Sequence, residues 1–156
     1  MIKAVKDIML YAVWFPALVF IVNLIGWFLK CYDLWPAFDI PMHILGGISI
    51  TYFFWKTISI LETRKIILPI QGIIKVIFIF SLTCTITVLW EFAEFTLDHI
   101  IAHNVQLGLD DTLLDMLLGI VGAIIFLAGI HCFRLIKAKS LQPEKVQGNK
   151  DERWVG

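Results

Sequence analysis

The chain has 156 residues, 59% of them hydrophobic, and its 13 basic and 13 acidic side chains cancel to a formal charge of zero. A soluble domain of this length is nearer half apolar, so the excess has to be solvated by something other than water. Membrane lipids are therefore the expected partners, and nucleic acid, which selects a basic surface, is not.

Four apolar windows reach the roughly 20 residues needed to cross a bilayer as helix. The first predicted helix, 8–29, follows Lys3 and Lys6. It is too long for a signal-peptide core and no A-x-A site follows, so it is expected to stay as an uncleaved span. Asn23 inside it is expected to bond to a neighbouring helix. The second helix, 41–61, opens with FDIPMHILGG, in which Asp39 and His43 are four apart and Pro41 fits the first turn. Gly46 and Gly47, one turn further on, leave room for a neighbouring helix or a ligand.

The third helix, 73–97, contains IIKVIFIF, whose β-branched residues would suggest a strand in water. In lipid the backbone must satisfy its own hydrogen bonds, so a helix is predicted. Its end, LWEFAEFTLD, places Thr87, Glu91, Glu94 and Asp98 three and four apart on one face. His99 and His103 in the connection that follows are expected to be solvated. The fourth helix, 112–136, begins near Asp110 or Asp111 as a cap, with Asp115 four residues after Asp111 and Gly119 and Gly122 continuing that face for close packing. His131 near its far end reads as structural. No window alternates as a β-barrel strand would.

The fold class is thus all-α, a polytopic four-helix transmembrane bundle spanning 1–139, followed by a polar tail, 140–156, expected to be disordered. Cys31, Cys84 and Cys132 suggest no disulfide or zinc framework, and the last two read as small core residues. Trp14, Trp27, Trp35, Trp55 and Trp90 read as including interfacial belt residues.

The charges sort by side. The two termini and the second connection collect 12 bases and five acids, a net of +7. The first and third connections and adjoining helix ends hold Lys30 against eight acids, a net of −7. By the positive-inside rule both termini and the second connection face the cytoplasm, and the acids face outward.

Ionisable groups from three helices converge at that outer depth, and such groups inside a membrane mark function by default. Acids this close repel one another, so either protons or a cation must neutralise them. Glu91, Glu94, Asp111, Asp115 and His43 are the expected ligands of a divalent ion: Mg, Mn, Ca or Zn, with iron a further fit. His43 and Glu91 are the candidate catalytic groups. Asp39, Gly46, Gly47 and Gly119 are the candidate substrate contacts.

Together D-x3-H-x2-GG, W-E-x2-E and D-x3-D-x3-G, from about Phe38 to Gly122, resemble the small YjdF-like bacterial inner-membrane proteins, themselves similar to the VanZ-like family. Asp39, His43, Glu91, Asp111 and Gly119 match that pattern. Ile40 stands where VanZ-like proteins usually have Lys, Glu94 where Gln is commoner, and Asp115 where Asn is common. The Arg that usually precedes the fourth-helix Asp is missing. These departures remove positive charge and favour the YjdF-like branch. The resemblance implies a bacterial inner-membrane location and a polar membrane site, without glycopeptide resistance.

Three function classes follow. A metal enzyme would act on a lipid-linked or envelope substrate. A proton or cation transporter would use the acids as a relay, although the inner halves of the helices offer no ionisable path and four helices would need to form a homo-oligomer to enclose one. A scaffold would use the metal only as a staple.

Overall fold

Proline 16 breaks the first span. In a computed structural model that describes residues 1–101 and 108–140, the expected single helix is two, α1 (Ile2–Tyr11) and α2 (Trp14–Phe28), bent by 44°. Pro16 has no N–H and its ring crowds the carbonyl four residues back, which is Ala12, so the helix restarts rather than continues. The freed carbonyl of Tyr11 accepts a 2.6 Å bond from the Tyr52 hydroxyl, which in turn accepts from Trp14 Nε1 at 3.0 Å. Tyr52→Phe removes both bonds at an exposed site. It is expected to lower stability by about 1 kcal/mol, read as thermal unfolding in detergent.

The first connection is also more structured than expected. It contains a short helix α3 (Cys31–Leu34) and a 3-10 turn (Pro36–Phe38) that leads directly into α4 (Asp39–Thr63). The remaining helices are α5 (Gly72–Ile101) and α6 (Leu109–Ser140), each longer than its apolar window. No strand occurs among the described residues. Three helices are long and apolar enough to cross a membrane, or four spans if the bent α1–α2 pair is one. The protein is therefore an all-α, polytopic membrane protein. The proposed tail beyond residue 140 and His103 lie outside the described residues.

Helix α4 is the hub. It packs against α6 most extensively, and also against α1, α2 and α5. Large apolar side chains on the outer faces, such as Phe20, Ile77, Phe92 and Leu117, stay exposed, as lipid-facing residues should. Gly47, Gly119 and Gly122 set the α4–α6 approach. A Cβ on Gly47 would meet the Gly119 carbonyl, and one on Gly122 would meet the carbonyl of Ile44 and, at 2.9 Å, the amide of Ile48. Without side chains the two backbones touch, which is how helices gain dispersion contact in lipid. Next to that seam the Thr51 hydroxyl donates to the Gly47 carbonyl at 2.6 Å and lies 3.1 Å from the Thr83 hydroxyl on α5.

The basic end is locked differently. Trp55, Ile58 and Ile79 form the buried apolar core, with Phe126, Leu127 and Ile130 of α6 against it. Trp55, grouped by sequence with the interfacial tryptophans, is only 8% exposed and lies between Lys75 Nζ, 5.0 Å from its ring centroid, and the Arg134 guanidinium at 4.7 Å. Lys75, counted by sequence among the loop charges, is buried and donates to Glu62 Oε2 at 2.6 Å and Ser59 Oγ at 3.1 Å. Glu62 Oε1 accepts from the Ile70 amide at 2.9 Å, which folds the 64–71 connection back on α4. Arg64 ties α1 to the same end by bonding Asp7, its Nε at 2.8 Å. Cys132 is exposed rather than a core residue.

Candidate functional site

The acidic cluster follows from the glycine seam. Helices α4 and α6 run in the same direction, so residues four positions before each glycine meet one turn above the contact. Gly47 faces Gly119; four residues earlier His43 Nε2 lies 3.6 Å from Asp115 Oδ1. Four earlier again, Asp39 and Asp111 join Asp115 in one group. His43 Nε2 also reaches Asp39 Oδ1 on its own helix at 3.2 Å. The close approach of two bare backbones thus forces two polar pairs, His43 with Asp115 and Asp39 with Asp111, into register.

Helix α5 completes the site from the opposite direction. Its Thr87 methyl abuts Gly119, and one turn on Glu91 and Glu94 enter the cluster. His43, Glu91, Glu94 and Asp115 each offer a ligand atom, all within 4.8 Å of one another; Asp39, Asp111 and Asp115 form a second such set. Glu91 is 5% and Asp115 3% exposed, and Glu91 Oε2 and Asp115 Oδ1 are buried without a hydrogen-bond partner. The Thr112 hydroxyl bonds to the Glu91 carboxyl. Trp90 Nε1 donates to Glu94 Oε1 at 2.6 Å and aims that carboxyl inward. Two like charges at 4.8 Å repel by roughly 3.5 kcal/mol at an effective dielectric of 20, so the ionised cluster is not stable by itself.

Tyr32 was not among the sequence candidates, yet α3 brings it to the site. Its hydroxyl accepts from Asn23 Nδ2 at 2.9 Å, which leaves its own proton to donate. Burial first, then the charges of Asp39 and Glu94, push the Tyr32 phenol well above its ordinary range. Its ring and that of Phe38 pack on Gly26, where a Cβ would lie 2.7 Å from Phe38. Nothing in the spacing of CYDLWPAF signals this, because the contact crosses between elements.

Below the cluster a cavity of about 140 Å³ lies among α2, α4 and α5, lined at its ends by His43 and Trp90 and by Ser49 and Thr83. Gly46 and Gly47 line it, and a Cβ on Gly46 would meet nothing. Gly119, expected at a substrate surface, is instead packed against Thr87 and Gly47, and α6 does not line this cavity. Asp39 is half-buried beside His43 and does not line the cavity.

Asp111 apart, the other acidic and histidine candidates from the sequence belong to neither set. Asp110 and Asp111 sit in the first turn of α6, which starts at Leu109, so neither is its N-cap. There they complement the helix dipole. Asp98 belongs to neither set, and Asp33 is exposed. His99 is exposed and stacks on Phe95 with centroids 6.2 Å apart. His131 is exposed on α6.

A family profile described as "Predicted membrane protein (DUF2238)" matches residues 6–135. The chain is 34% identical over 105 residues to an "Uncharacterized protein" of Thermotoga maritima, an alignment that covers 67% of this chain and 53% of that relative. The chain thus spans about half the length of the relative it matches. No solved structure matches the chain.

Proposed function

We propose, from the premise that the chain belongs to the family of predicted membrane proteins DUF2238, that it is a divalent-metal-binding integral membrane protein acting on a lipid-linked or envelope substrate. One observation carries the reading: Glu91 Oε2 is buried without a hydrogen-bond partner, in one four-ligand group with His43, Glu94 and the equally buried Asp115. A buried polar atom left unpaired costs about 1–3 kcal/mol, more when charged. A proton on Glu91 serves that oxygen alone, whereas a cation also offsets the repulsion among the three carboxylates. Three carboxylates and one imidazole suit Mg²⁺ or Mn²⁺, with Zn²⁺ next. The kinship with YjdF-like and VanZ-like proteins belongs to this reading and rests on the motifs.

The enzyme reading is favoured over transport by the core. The hydroxyls of Ser49, Thr83 and Thr87 continue below His43, but Trp55, Ile58 and Ile79 close the bundle beyond them. A staple-only role leaves unused the cavity against which His43 stands. Calorimetric titration of the chelator-stripped protein with Mg²⁺, Mn²⁺, Ca²⁺ and Zn²⁺ tests the proposal. Saturable heat with at least one ion is expected, and silence with all of them overturns it.

The charge asymmetry supports an outward-facing acidic end, and the motif resemblance supports a bacterial inner membrane. With the three native cysteines replaced, His99→Cys should be labelled by an impermeant maleimide in intact cells. Labelling only after permeabilisation would reverse the orientation and leave the site on the cytoplasmic side.

A further inference from the structure

The two ligand sets are not separate. Asp115 belongs to both, which makes it the one side chain able to touch an ion in each. We infer that the site is a two-ion centre bridged by the Asp115 carboxylate: one hard divalent cation held by His43, Glu91, Glu94 and Asp115, the other by Asp39, Asp111 and Asp115. This rests on the divalent-metal reading above and deepens it.

Register supplies the geometry. Asp39 and Asp111 stand four residues before His43 and Asp115 on parallel helices, a rise of about 6 Å. Their side chains converge on Asp115, so the two centres are closer than the rise. Two-ion sites hold their ions about 3.5–4 Å apart, within the reach of a single bridging carboxylate. Four-helix bundles build carboxylate-bridged pairs in the same way, from acids and histidines projecting inward from facing helices.

Charge supplies the stoichiometry. Five carboxyl groups meet here: Asp39, Glu91, Glu94, Asp111 and Asp115. With all five ionised, one divalent ion leaves a net of about −3 and two leave about −1, so the second ion removes most of the charge left beside the buried Glu91 and Asp115. An independent observation points to ions rather than to a solvated acidic patch. Glu91 is only 5% exposed, its Oε2 is buried without a hydrogen-bond partner, and it belongs to the first ligand set. The second ion has three protein ligands to the first ion's four, so it keeps more positions open for water or substrate.

Manganese is the probe, because electron paramagnetic resonance both counts Mn²⁺ and detects exchange coupling between neighbours. Full-length protein, stripped with chelator in detergent, should bind two Mn²⁺ per chain with a spin-coupled spectrum. Asp111→Asn should reduce this to one uncoupled ion, and Asp39→Asn serves as a second variant from the other helix. The wild-type count does not depend on either variant folding. One ion per wild-type chain, or two without coupling, overturns the bridged centre and leaves the metal-protein reading standing. No bound ion at any concentration overturns both.

Discussion

Stripping divalent ions from the purified protein should lower its melting temperature by about 5–10 °C, and Glu91→Gln should abolish that response. An ion that binds only the folded state stabilises it by about 2.7 kcal/mol at a hundredfold excess over Kd. For a chain of this length each kcal/mol moves Tm by about 2–4 °C. Glu91 is the informative position, because it is buried, belongs to the four-ligand group and carries an unpartnered oxygen. Gln keeps the shape and removes the charge. If protons rather than an ion offset the cluster, the signs change: chelators do nothing and Glu91→Gln raises Tm by removing repulsion. Differential scanning fluorimetry with and without chelator separates the two, and the second pattern would sink the metal reading.

Gly47→Ala should be far more damaging than Gly46→Ala, although the residues are neighbours on one helix. A Cβ at Gly46 meets nothing within 4 Å, and replacing a helical glycine there is expected to stabilise by about 0.5–1 kcal/mol. A Cβ at Gly47 enters the Gly119 carbonyl, a backbone group that no rotamer change can move aside. The helices must separate, at the upper end of the cost of overpacking, about 3 kcal/mol or more. Because the same contact sets the His43–Asp115 register, Gly47→Ala should also lose the chelator response. Thermal unfolding in detergent, run on both variants, gives the comparison. Equal stability would mean that α4 and α6 do not touch at this point.

Much of the site was legible in spacing. D-x3-H-x3-G at 39–47 and D-x3-D-x3-G at 111–119 each put two polar groups and a glycine on one helical stripe, and a helix of either kind must present them together. The acids of α5 were legible for the same reason. What spacing does not contain is the offset between helices. That the two stripes are parallel, adjacent and in step is decided where Gly47 meets Gly119, a contact between residues far apart in sequence. Glycine was equally able to line a ligand surface, and for Gly119 packing prevailed.

The sequence by itself determined that this is an all-α membrane protein, because only helices satisfy their own backbone in lipid and the apolar windows are long enough to span it. It also determined which residues share each helix face, since that depends on local geometry alone. Pro16 carried the signal for the broken first span, but the 44° bend and the Tyr52–Tyr11 bond depend on α4 lying alongside. Only the tertiary structure decided that Lys75 is buried against Glu62 and Trp55, and that Tyr32 joins the acidic cluster. A charge in a sequence has no partner until the chain folds, and the energy of burying it depends wholly on that partner.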